Sequence, residues 1–66
     1  MEILLNGEPL TVATQTTVAA LLVQLDLAGQ PLAVEVNLEI VPRSAHASHQ
    51  LQAGDRVEIV RAIGGG

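Results

Sequence analysis

Thr17-Val18-Ala19-Ala20-Leu21-Leu22-Val23-Gln24-Leu25-Asp26-Leu27 is the only stretch of this chain with a sustained helical period. Val18, Leu21, Leu22 and Leu25 fall at i, i+3, i+4 and i+7, which lines them along one side of a helix, while Ala20, Gln24 and Asp26 point elsewhere. Thr16 or Thr17 can cap the start by accepting a hydrogen bond from an unpaired amide of the first turn. Gly29, Gln30 and Pro31 are expected to end it. One apolar stripe needs an apolar partner, and the flanking segments alternate with the period of strands. The expected fold class is therefore α+β: a mixed sheet of four to five strands packed on one main helix.

Upstream of the helix, Met1 to Asn6 is an apolar strand run closed by Asn6-Gly7, a dipeptide suited to the positive φ angles of a tight hairpin turn. A second strand follows from Glu8 to Ala13, with Leu10 and Val12 on one face and Pro9 marking it as lying near an edge. Downstream, Leu32 to Asn37 places Leu32, Val34 and Val36 on one face. After an Asn37-Leu38 turn, Glu39 to Val41 forms a short strand that Pro42 closes. Ser44 to Gln50 has no period and reads as loop or a single helical turn. Leu51 anchors it to the core, and Ala53, Gly54 and Asp55 turn into a last strand, Arg56 to Ala62, with Val57 and Ile59 inward. Arg61 does not fit that alternation. The first and last strands are both apolar enough to lie centrally, which pairs them in parallel and sends the end of the chain off one end of the sheet.

Sixty-six residues make one domain with a modest core and no room for a catalytic cleft walled on all sides. The chain has no Cys, hence no disulfide, thiolate nucleophile or sulfur ligand, and it has no Lys. Its three cations are Arg43, Arg56 and Arg61, against seven acids and a formal net charge of −4. Phosphate-backbone binding needs clustered positive charge and stacking platforms, so nucleic acid is not an expected partner, whereas a basic docking surface is. No apolar run is long enough to span a membrane and Met1 leads straight into a strand, which together suggest a cytoplasmic protein.

The end of the chain is unlike the rest. After Ala62 and Ile63 come Gly64, Gly65 and Gly66, which have maximal backbone freedom and nothing to pack. The domain is accordingly expected over 1–63 and a flexible glycine tail over 64–66. Such a tail is either a frayed end or a narrow arm that carries the carboxyl of Gly66 into another protein's active site, where a Cβ would block the way. Among other candidates, His46 and His49 lie three apart, but two nitrogens are too few for a metal site, and no metal is expected. Ser44 and Ser48 beside them lack an acid to orient a histidine base. Val60 falls on the outer face of the last strand, where Val60 and Ala62 are either candidates for docking a partner or ordinary sheet cover, and Arg43 is either a partner contact or simply solvated after the Pro42 turn.

From Asn37 the pattern becomes specific. Asn37-Leu38-Glu39-Ile40-Val41-Pro42-Arg43, then Gly54-Asp55, Val57-Glu58-Ile59-Val60 and a final Gly65-Gly66, resembles the ThiS family of small sulfur carriers of thiamine biosynthesis. Asn6-Gly7 and Val18-x-x-Leu21-Leu22 match as well, so the likeness covers nearly the whole chain. One departure is Ala45-His46-Ala47, where the family often has an aromatic residue. The resemblance implies a ubiquitin-like β-grasp fold and a protein cosubstrate rather than an enzyme, with no cofactor of its own. It implies that an adenylating enzyme of the ubiquitin-activating type, using ATP and Mg²⁺, converts the Gly66 carboxylate to an acyl adenylate. Sulfur from a cysteine desulfurase or rhodanese-like donor then gives a thiocarboxylate, which thiazole synthase consumes. Sulfur delivery for molybdopterin or tRNA thiolation, and a ubiquitin-like binding or conjugating module, are the alternatives. The residues agree with the carrier scheme: no phosphate-binding G-x-x-x-x-G-K-[ST] motif is present, so activation belongs to a partner, and without Cys the chain's place for reactive covalent sulfur is its terminal carboxyl.

Overall fold

The structure, a computed structural model, describes residues 1–61. Its elements in chain order are β1 (Glu2–Leu5), β2 (Glu8–Thr11), α1 (Val18–Gln24), β3 (Leu32–Val36), β4 (Glu39–Val41), a 3₁₀ turn (Arg43–Ala45) and β5 (Arg56–Arg61). The strands form one mixed sheet in the order β2-β1-β5-β3-β4. β1 and β5 run parallel in the middle of the sheet, with Leu5 opposite Val57, and β3 pairs antiparallel with the other side of β5 from Leu32–Arg61 to Val36–Val57. β2, with its Pro9, pairs only with β1 and is an edge, as expected of a residue that cannot donate to a ladder.

Both hairpins turn through left-handed residue pairs: Asn6 (φ 49°) with Gly7 (φ 86°), and Asn37 (φ 53°) with Leu38 (φ 71°). Asn and Gly suit this geometry, whereas a leucine there costs about 1–2 kcal/mol. The α1 stripe and the inward strand positions meet as predicted. Ile3, Val18, Leu21, Val34 and Val57 are fully buried, and Val12, Leu22, Val36, Val41 and Leu51 complete the core.

The helix is shorter than the sequence suggests, ending at Gln24 rather than Leu27. Asp26 adopts the left-handed conformation (φ 61°), its amide bonds to the Val23 carbonyl at 3.0 Å, and the Leu27 amide reaches back to Leu22 at 2.8 Å. That pair of bonds is a Schellman ending, with Asp26 taking the place usually held by glycine. Gly29 and Pro31 lie in the loop beyond. Leu25 and Leu27 still pack against the core from outside the helix.

At the other end, the aperiodic segment after β4 supplies what α1 lacks. The Val18 amide donates to the His49 carbonyl (3.0 Å) and the Ala19 amide to the His46 carbonyl (2.9 Å), while Ala20 donates to the Thr17 hydroxyl (3.0 Å). The three leading amides of the helix are thus satisfied by one side chain and two distant carbonyls. No helix among the described residues is long and apolar enough to cross a membrane. Ile63 and the expected 64–66 tail lie outside the described residues, as does Ala62, the expected last residue of β5.

Candidate functional site

The strand that leads towards the glycines is the central strand of the sheet. β5 is flanked by β1 on one side and β3 on the other, and its Val57 is fully buried. Ile59 is half-buried on the same inner face, and Arg61, opposite Leu32, is exposed where the strand passes the edge of the core. The misfit of Arg61 to the alternation is therefore the strand leaving the core. Gly64, Gly65, Gly66 and Ala62 lie outside the described residues.

Val60 sits where alternation puts it. It is 58% exposed on the sheet face away from α1 and lies opposite Ala33 of β3. One row further from the end of β5, Glu58 lies directly opposite Glu35, and Glu35 lies opposite Ile40 of β4. Ile40 is 70% exposed, a large apolar side chain that the sequence reading did not single out. The available signal was the burial of its neighbour Val41, since adjacent strand residues face opposite sides, but a three-residue strand does not declare which side is inner. The outer face thus joins exposed Val60 and Ile40 to two like-charged carboxylates held side by side. That juxtaposition costs stability within the chain and complements a basic surface on another protein.

Arg43 is not part of that face. It begins the 3₁₀ turn, donates from Nη2 to the Gln30 carbonyl at 3.3 Å, and lines a cleft of about 360 Å³ with Ala19, Leu22, Val23, Gln30 and Leu32 beside the helix. Val60 and Arg43 therefore belong to different surfaces of the molecule.

The histidines have local employment. His46 Nε2 lies 3.0 Å from the Val41 carbonyl, and the carbonyls of His46 and His49 hold the start of α1. Ser48 donates to the Ala45 carbonyl at 3.3 Å, within the same loop. Among the described residues no group of three or more His, Cys, Asp or Glu side chains is placed to hold a metal ion.

Comparison with known proteins agrees with this architecture. The model of the ThiS family matches residues 3–66. The sulfur carrier protein ThiS of Escherichia coli is 39% identical over 66 residues that cover all of both chains. A thiazole synthase of Paramagnetospirillum magneticum is 46% identical over the whole of this chain, which spans only 20% of that relative's length. The crystal structure of the thiamine biosynthesis protein ThiS from Geobacter metallireducens superposes with a TM-score of 0.88 at 36% identity, covering 100% of each chain. With a family match over nearly its full length and a five-stranded mixed sheet on one helix that fits a solved member from end to end, the chain belongs to the ThiS family of β-grasp sulfur carriers of thiamine biosynthesis.

Proposed function

We propose that this chain carries sulfur as a thiocarboxylate on Gly66. A carboxylate resists nucleophilic attack because the incoming electrons add to an anion, so a leaving group must be installed first. A separate adenylating enzyme does this with ATP and Mg²⁺: a Gly66 oxygen attacks the α-phosphorus, pyrophosphate leaves, and an acyl adenylate forms. The terminal sulfur of a persulfide on a cysteine desulfurase or a rhodanese-like donor then attacks the acyl carbon and expels AMP. A thiol cleaves the S–S bond of the resulting acyl disulfide, leaving the thiocarboxylate on Gly66 and becoming a disulfide itself. The recipient is thiazole synthase, a reading supported by the stretch matching this chain within the Paramagnetospirillum magneticum thiazole synthase. Dependence on ATP assigns the work to the cytoplasm.

The observation that carries this reading is the placing of β5. A central strand paired on both sides leads into Gly64-Gly65-Gly66, in a chain with no Cys to hold sulfur elsewhere. Side-chain-free residues suit a narrow channel and leave the acyl carbon unhindered. Incubation with the purified adenylating enzyme, ATP, Mg²⁺ and sulfide is expected to raise the intact mass by about 16 Da, one oxygen exchanged for sulfur. An unchanged mass would overturn the proposal.

Docking of the adenylating enzyme falls to the outer face around Val60 and Ile40. Ala62, two residues nearer the glycines in sequence, is the further candidate for this contact, and Arg43 presents a separate cation beside the helix. Val60→Asp buries a carboxylate in that contact without touching the core, so binding weakens by about tenfold or more, or at least about 1.4 kcal/mol. Far-UV circular dichroism stays unchanged. Titration of the variant against the enzyme checks this, and wild-type affinity would remove Val60 from the interface.

A further inference from the structure

Asn6 holds more than the first hairpin. Its backbone amide donates to the Val57 carbonyl at 2.8 Å, the last backbone bond between β1 and β5, since β1 ends at Leu5. Its side chain then takes over from the missing strand. Oδ1 accepts from the Ile59 amide at 2.9 Å, and Nδ2 donates to the Ile59 carbonyl at 3.4 Å. A primary amide presents the same donor and acceptor as a peptide group, so Asn6 extends the ladder by one residue where no backbone is available. Glycine would make the turn equally well and aspartate would keep the acceptor, but only asparagine both tolerates a φ of 49° and offers both groups.

We infer that Asn6 is a positioning residue for the reaction of Gly66: it fixes the direction in which β5 leaves the sheet. This rests on the thiocarboxylate reading above. Gly66 lies seven residues beyond Ile59, a reach of at most about 25 Å, so an arm that must be drawn out to enter a channel has no slack with which to make up a displacement of its root at Ile59. Reacting atoms must meet within about 3–3.5 Å, so such a displacement is decisive for the chemical step.

A second asparagine supplies the control. Asn37 is also left-handed and also bound to β5: its Oδ1 accepts from the Arg56 amide at 3.0 Å and its Nδ2 donates to Asp55 Oδ1 at 3.0 Å. It holds the strand at the end remote from the glycines. A purely structural role makes the two asparagines equivalent, whereas a positioning role singles out Asn6.

The test measures thiocarboxylate formation by the full chain with the purified adenylating enzyme, ATP, Mg²⁺ and sulfide, as kcat and as KM for the carrier. Asn6→Gly is expected to lower kcat by about tenfold or more with KM within about twofold, because the outer docking face is intact. Hydrogen exchange at the Ile59 amide accelerates in the same variant, and Asn6→Asp recovers part of the rate. Asn37→Gly melts earlier yet keeps the wild-type kcat. An unchanged kcat in Asn6→Gly, or equal losses in both glycine variants, overturns the inference. A wild-type chain that gains no sulfur overturns the thiocarboxylate reading itself, and the inference with it, even if Ile59 exchange shows the clamp to be real.

Discussion

Deleting Gly66 is expected to lower sulfur loading by at least about a hundredfold, because the shortened arm brings its carboxyl carbon up at most about 3.6 Å short of the activated phosphate. Gly65 would then be terminal, so the variant keeps a carboxylate, a glycine and the whole folded domain, and loses only reach. Displacement by one residue exceeds the near-attack tolerance, and binding energy from the distant outer face cannot restore it. The measurement is intact mass over time with the adenylating enzyme, ATP and sulfide. The thermal midpoint and the affinity for the enzyme both stay at the wild-type value. Loading at the normal rate would show that Gly66 is not the working residue.

Leu21→Ala is expected to lower the urea midpoint of the domain far below the wild-type value. Leu21 is fully buried on the inner stripe of α1, and truncating such a leucine costs about 2–5 kcal/mol, depending on how far the site can collapse. A domain of this length holds roughly 3–10 kcal/mol in all, so the loss consumes a large share of it. Leu21→Met, which conserves volume, should cost less than about 1.5 kcal/mol. Since the chain has no aromatic residue, urea titration is followed by far-UV circular dichroism or amide resonances rather than by fluorescence. An alanine variant as stable as wild type would mean that the α1 stripe does not hold the sheet.

How much of this was legible beforehand follows the range of the interactions concerned. Patterns contained within a few residues could be read directly: the stripe from Val18 to Leu25, the Asn6-Gly7 turn, the alternation through Val34 and Val36, and Leu51 as an anchor. The parallel pairing of β1 with β5 followed because two strands were apolar enough to be central. The end of α1 could not be placed because Asp26 is an ordinary helical residue by composition, and only its left-handed backbone shows that it ends the helix. The segment from Ser44 to Gln50 lacks a period because part of its contribution is made by backbone carbonyls, which capture the amides of Val18 and Ala19 whatever side chains they carry.

The candidate site was legible in the same uneven way. Val60 was recoverable from alternation against the buried Val57. Ile40 was not, and neither was the Glu35–Glu58 pair, which exists only in the register of β3 with β5. The grip of Asn6 on Ile59 joins residues 53 apart and appears only when β1 and β5 are set side by side. From the sequence Arg43 could be a partner contact or a solvated side chain after the Pro42 turn, and its place at the cleft beside α1 appears only in the fold.

The central claim is that Gly66 carries the sulfur. Its most direct test is the intact mass of the chain isolated from cells making thiamine, with fragmentation to locate any change. The expected result is a fraction heavier by about 16 Da, with the whole increment on the final residue. An unmodified chain in such cells, or an increment placed anywhere else, would contradict it.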